Sequence, residues 1–162
     1  MEHARDAELG DLVRVAELGQ ALHDELAEHR GGSVWLASEA VRAPLEPSYR
    51  QFLHRPEHRL VVGCIDDVVL GYGTFEVQAL HDGRRLGYVR ELYVEPEGRA
   101  VGLGEAVIER LLGHARDHNC IGVDAVALPG LRDTKNFFEA HGFVASALQV
   151  HHAFPAPGTD TP

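Results

Sequence analysis

Residues 99–118, Arg99-Ala-Val-Gly-Leu-Gly-Glu-Ala-Val-Ile-Glu-Arg-Leu-Leu-Gly-His-Ala-Arg-Asp-His118, decide how the rest of the chain is read. From Leu103 onward the apolar residues Leu103, Val107, Leu111 and Ala115 recur at every fourth position, with Ile108 and Leu112 beside them, which is one face of an amphipathic helix. Glu109, Arg110, Arg116 and Asp117 fall elsewhere on the wheel. The glycines sit where that helix begins. A loop entering a helix through Gly102 and Gly104 turns backbone N–H groups outward, with no Cβ in the way, at the end where the helix dipole is positive. Such a turn is an anion seat.

The spacing narrows the anion. Arg99-x-x-Gly102-x-Gly104 is not a Walker loop, because no Gly-Lys-Ser/Thr follows, and not a dinucleotide fingerprint, because Val107 stands where the third glycine belongs. It resembles the acyl-CoA pyrophosphate loop of the GNAT superfamily of N-acyltransferases, Arg/Gln-x-x-Gly-x-Gly/Ala between a strand and a helix. Upstream, Tyr88-Val-Arg-Glu-Leu-Tyr-Val-Glu-Pro-Glu-Gly98 is similar to that family's fourth strand and its V-x-P-E-x-R approach to the loop. Downstream, Asn136-Phe-Phe-Glu-Ala-His-Gly142-Phe143 is similar to its x-F-Y-E-x-x-G-F segment. The matches cover residues 88 to 143, in order and at the family's spacing; the N-terminal third is compatible and carries no motif.

Composition excludes several classes. At 162 residues and 17.8 kDa the chain has the length of one domain, expected over residues 1–154 with a frayed tail at 155–162, where Pro and Gly cluster. No apolar run approaches the ~20 residues of a membrane span, so no membrane is expected as a partner. The N-terminus has no apolar h-region. Cys64 and Cys120 show no pair spacing, which suits reduced thiols in the cytoplasm. Fifteen Lys and Arg against twenty-five Asp and Glu give −10, unsuited to nucleic acid. That charge serves solubility first and favours cationic amines second. Of eleven histidines, His114 and His118 come nearest to a metal pair, at i and i+4, but lack an intervening Glu; no metal is expected.

Along the chain, Leu12, Val15, Leu18, Leu22 and Leu26 predict a first helix from Asp11 to about Glu28, broken by Arg30-Gly-Gly-Ser33. Trp35, Leu36 and Val41 suggest a short second helix interrupted near Pro44 and Pro47, and Tyr49 to Leu53 another turn. Arg59–Ile65 and Val68–Gln78 read as strands joined by a tight Asp66-Asp67 turn; a second turn at His81–Arg84 leads into a strand from Leu86 to Val94. After the glycine-loop helix come a buried strand, Gly122–Leu128, a helix from about Asp133 to His141, and a last strand, Val144–His152. This order implies an α+β domain: a mixed, mostly antiparallel sheet with helices on both faces, the GNAT or acyl-CoA N-acyltransferase fold. The strands flanking the loop helix form a βαβ unit, and the ligand belongs at that edge.

The resemblance implies the chemistry. An amine attacks acetyl-CoA directly, with no covalent enzyme intermediate, and the acceptor is a small-molecule amine or a peptide N-terminus. Backbone groups of Leu92 and Val94 pair with pantetheine and polarise the acyl carbonyl. Arg99 brings charge to the pyrophosphate, Ala100, Val101, Gly102, Leu103 and Gly104 bring amides, and Asn136 and Phe138 contact the cofactor from the later helix. Ala100 stands where many members have glycine, and Glu105 puts a carboxylate near the phosphates. Glu91 is the candidate base, with Glu76 and Glu95 in reserve and a salt bridge to Arg90 as its structural alternative. Trp35, Tyr49 and Phe52 are candidate acceptor contacts that also suit a core. Phe138 replaces a tyrosine that in many members protonates the departing thiolate, leaving Tyr93 or water as donors. A homodimer is common in the family. Two other functions share the loop: a non-catalytic acyl-CoA-binding or dimer-forming module, and a phosphate- or nucleotide-binding regulator.

Overall fold

The structure is a computed structural model that describes residues 1–158. Its N-terminal residues form β1 (Glu2–Asp6). The apolar stripe of Leu12, Val15, Leu18, Leu22 and Leu26 closes into α1 (Leu12–Ala27) and is wholly buried. Two short helices follow, α2 (Gly32–Ser38) and α3 (Leu45–His54). The prolines expected to interrupt this region instead start α3: Pro44 is its N-cap and Pro47 lies in its first turn, where an N–H has no intrahelical acceptor to lose.

Strands β2 (His58–Ile65) and β3 (Val68–Ala79) form a hairpin. Its turn residues Asp66 and Asp67 have φ of 47° and 67°, the double left-handed geometry that matches strand twist in two-residue hairpins. Then come β4 (Arg85–Val89), β5 (Leu92–Val94), α4 (Leu103–Asp117), β6 (Val123–Ala125) and α5 (Arg132–Ala140). The sheet runs β1-β2-β3-β4-β6, with β5 also paired to β3. Every pair is antiparallel except β4 with β6, the parallel crossover expected around α4. Alternation along β2 sends Leu60, Val62 and Cys64 to a core shared with α1 and α3, and Val61 to the opposite core shared with α4 and Phe138 of α5. Helices thus cover both faces. No described helix is long and apolar enough to cross a membrane.

Four local readings need correction. A first strand, β1, exists where none was read, because Glu2-His-Ala-Arg-Asp6 has almost no apolar pattern and is held by main-chain pairing to β2 at the sheet edge. The single strand Leu86–Val94 is two, broken at Arg90 and Glu91. The buried strand at 122–128 shrinks to the partly exposed β6. The last strand, Val144–His152, does not form: its period-2 pattern is real, but a strand exists only where a neighbour supplies hydrogen bonds, and these residues pair with none. Of the expected tail, residues 159–162 lie outside the described residues.

Candidate active site

The break in the strand builds the site. Between the pairs Glu76↔Tyr88 and Gly73↔Leu92, β3 contributes Thr74 and Phe75 while the facing chain contributes Val89, Arg90 and Glu91. That extra residue is a β-bulge. Thr74 fastens it, donating its N–H to the Glu91 carbonyl (2.9 Å) while its Oγ1 accepts the Glu91 N–H (3.1 Å). Strict alternation would put Glu91 on the Val89 face, in the core beneath α4. The bulge turns it over, into the core beneath α1 and α3.

There Glu91 is 2% exposed and fully bonded. Oε1 accepts from the hydroxyls of Tyr49 (2.6 Å) and Tyr72 (2.9 Å); Oε2 accepts the Val41 N–H (3.0 Å) and lies 2.6 Å from His23 Nε2. Burial, and then the Glu91 charge, push both phenols well up, so they stay O–H donors. Gly19 makes this possible from the middle of α1: a Cβ there would stand 2.1 Å from the Tyr49 hydroxyl. Arg90, the alternative partner for Glu91, is spent elsewhere, on Glu76 (2.9 Å) and Glu39 (2.8 Å).

From Glu91 a cavity of about 590 Å³ runs between β5, the start of α4 and α5. β5 presents a main-chain edge to it. Thr74 N–H reaches Glu91 O and Glu95 N–H reaches Leu70 O, so Tyr93 spends its backbone groups on β3, while Leu92 and Val94 turn theirs outward. At the far end Gly102 caps α4 with φ 84°, which a side chain adopts only with strain, and orients the first amides of the helix. Gly104 answers a different need: a Cβ there would meet the Phe137 ring at 3.1 Å, so its bareness lets α5 close over the loop. Arg99 folds back over the Tyr93 ring, its Nε donating to the Val94 carbonyl (2.7 Å) and its Nη2 meeting Glu25 (3.1 Å). Arg132, at the start of α5, is a cavity cation without an ion-pair partner among the described residues.

The sequence profile of the Acetyltransferase (GNAT) family matches residues 19–143. The chain belongs to that family. Among relatives, it is 36% identical over 66 residues to glucosamine 6-phosphate N-acetyltransferase 1 of rice, Oryza sativa subsp. japonica; the match takes in 41% of this chain and 38% of the rice protein. The solved glucosamine-6-phosphate N-acetyltransferase of Arabidopsis thaliana superposes at TM-score 0.68 with 17% identity, over 96% of this chain and 99% of that one. AAC(6')-Iy, solved with the bisubstrate analogue CoA-S-monomethyl-acetylneamine, superposes at 0.73 with 12% identity, over 96% and 99%. Identities this low speak for the fold.

On this GNAT framework the residues singled out from sequence divide. Glu91, Leu92, Val94, Arg99, Gly104 and Phe138 all line the cavity. Ala100 and Val101 form the exposed turn before Gly102, and Leu103 is buried as the first residue of α4. Asn136 is exposed and outside the cavity wall, whereas its neighbours Asp133, Thr134 and Phe137 are in it. Trp35 lines the cavity; Tyr49 lies outside its wall and bonds Glu91, and Phe52 packs on His58. The reserve carboxylates are tied down, Glu76 by Arg90 and Glu95 by Arg14 (2.6 Å). His114 bonds Asp6 and His118 bonds the His114 carbonyl; among the described residues no group of three or more potential metal ligands assembles. Sequence reading missed His23 and Gly19. The glycine inside an otherwise strong helix was the one available signal.

Proposed function

We propose that this GNAT protein is an acetyl-CoA-dependent N-acetyltransferase that carries the acetyl group directly from the thioester to a primary amine. One observation supports this above the rest: the capped start of α4, the outward edge of Leu92 and Val94, and Glu91 border the same cavity. The pyrophosphate would lie on the amides of 100–104, with Arg99 and Arg132 near, and the amide-bearing pantetheine arm would run along β5 as an added strand, within reach of Asn136 and Phe138. An N–H of the β5 edge would meet the carbonyl oxygen as it gains charge.

As the C–N bond forms and the C–S bond breaks, the amine gives up a proton, which Glu91 takes directly or through water. Both carboxylate oxygens already hold two donors, so a proton enters only where one yields. His23 is the partner able to do so, since an imidazole nitrogen exchanges the donor role for the acceptor role, and it passes the proton toward solvent. The thiolate leaves unaided or with a proton from Tyr93, whose hydroxyl burial keeps protonated; a thiol of pKa about 8.5 is a fair leaving group. No metal enters. The plant relatives are named for an amino-sugar phosphate, and AAC(6')-Iy was solved with an acetylneamine analogue. For this chain a small unphosphorylated amine fits better, because Arg90 on the acceptor side is neutralised by Glu39 and Glu76, and a peptide N-terminus is the alternative. The cytoplasm suits two free thiols, Cys64 and Cys120.

The complete hydrogen bonding of Glu91 favours one competitor, a non-catalytic acyl-CoA-binding module in which this carboxylate is purely structural. Release of free CoA thiol from acetyl-CoA across a panel of primary amines tests the choice. Turnover with at least one amine is expected. Thermal stabilisation by acetyl-CoA without turnover would leave the binding module, and a melting temperature unmoved by millimolar acetyl-CoA would contradict both.

A further inference from the structure

The wall of the cavity is lopsided. Leu22 and Leu26, one turn apart on α1, and Trp35 of α2 form one side of it, each 8% exposed. The Trp35 Nε1 is buried with no hydrogen-bond partner among the described residues, so what the ring shows to the cavity is carbon. The rest of this side comes from a turn far along the chain. Leu128-Pro129-Gly130-Leu131 closes with the Leu131 N–H on the Leu128 carbonyl (3.2 Å) and Gly130 at φ 87°, the type II turn that proline followed by glycine favours. The turn carries its two leucines across to α1 and α2. Both line the cavity and pack on the core cluster that holds Leu22, Leu26 and Trp35, and Leu128 Cδ2 lies 3.8 Å from where a Cβ on Gly31 would stand.

Charge on this side is already matched. Arg90 is held by Glu39 and Glu76, and Glu25 by Arg99 (3.1 Å). Glu105, Arg132 and Asp133 belong to the first turns of α4 and α5, where the cofactor's phosphates would lie. Glu91 is left as the carboxylate to meet an amine, and the surface beside it is leucine and indole carbon.

The geometry points to a primary amine with an apolar alkyl or aralkyl body as the acceptor, its nitrogen at Glu91 and its carbons against Leu22, Leu26, Trp35, Leu128 and Leu131. This inference rests on the N-acetyltransferase reading and narrows its substrate. A body bearing hydroxyls or a phosphate would press polar groups against that wall, each giving up water for no new hydrogen bond. A second ammonium would fare no better, because Glu25 is spent on Arg99. The body is short, since the cavity of about 590 Å³ also takes the pantetheine arm.

The test is kcat/KM at saturating acetyl-CoA, read as release of CoA thiol, along the linear series from ethylamine to hexylamine, whose reacting nitrogen is the same throughout. The parent's value is expected to rise about fourfold per added methylene. Hexamethylenediamine and glucosamine 6-phosphate should each fall about tenfold or more below hexylamine. Leu128→Asn and Leu131→Asn, made separately on the half-buried turn, should each flatten the rise along the series. Level rates in the parent, a best substrate that is the diamine or the sugar phosphate, or a rise as steep in the folded variants as in the parent overturns the apolar class and leaves the acetyltransferase standing. No thiol release with any amine overturns the acetyltransferase reading, and this inference with it.

Discussion

At the Glu91 end of the cavity both carboxylate oxygens are engaged before any ligand arrives: two phenols, a main-chain N–H and an imidazole converge on them. At the α4 end the balance shifts, with helix amides presented by Gly102 and an outward β5 edge on which, of the outward groups of Leu92 and Val94, only the Val94 carbonyl has a side-chain partner among the described residues, Arg99. A satisfied buried cluster fixes geometry, and its removal costs stability, whereas an unsatisfied end stores its hydrogen bonds for a ligand, and its removal costs affinity. Substitutions at the two ends should therefore be read by different instruments.

The largest expected effect is at the open end. Gly104→Asp puts a Cβ 3.1 Å from Phe137 and a negative charge beside the phosphates. The parent should gain about 2.7 kcal/mol from acetyl-CoA at a hundredfold excess over Kd, seen as a rise in melting temperature, and the variant should gain none. Gly104→Ala, with the crowding but without the charge, should keep part of the rise; loss as complete as in Gly104→Asp would move the cause from electrostatics to packing.

Next comes the closed end, approached from behind. Gly19→Ala places a methyl 2.1 Å from the Tyr49 hydroxyl and drives it off Glu91. Leaving one carboxylate oxygen short of a donor should cost about 1–3 kcal/mol of stability and lower kcat roughly tenfold, with acetyl-CoA affinity unmoved. A matching loss of affinity would show the two ends to be coupled.

Those two glycines show what the sequence made legible. Gly102 and Gly104 announced a glycine turn into a helix because their spacing is local, and α1, α4, α5 and the Asp66-Asp67 turn were readable for the same reason. The bulge at Arg90-Glu91 was not, since it is a difference in residue count between two paired strands. Nor was the use of Gly19, whose partner Tyr49 lies thirty residues on. Periodicity also overreached at Val144–His152, where the pattern names a strand but not its neighbour.

Smaller effects follow. Phe138 sits among Phe137 and Phe143 as packing, so Phe138→Tyr should leave kcat within a few-fold of the parent; a tenfold gain would show that thiolate protonation limits turnover. The smallest concerns pH. Burial pushes the His58 ring below its ordinary pKa of about 6.5, so between the two values the unfolded chain binds the proton more readily than the folded one. The stability of the neutral ring is complete above about pH 6.5 and declines as pH falls toward the folded value. In His58→Leu the drop in melting temperature between pH 7.5 and 5.5 should shrink by about 2 °C; an unchanged drop would assign it to other groups.

The central claim, that the closed end performs chemistry and the open end performs binding, meets its most direct test in Glu91→Gln. The amide keeps an oxygen for Tyr49 and Tyr72 but opposes the Val41 N–H, so the variant should fold with a lowered melting temperature. Measured side by side on that folded variant, kcat should fall by about 10² or more while the Kd for acetyl-CoA stays within a few-fold of the parent. An unchanged kcat, or a Kd that worsens as much as kcat falls, would contradict the account and return Glu91 to the core as a structural carboxylate.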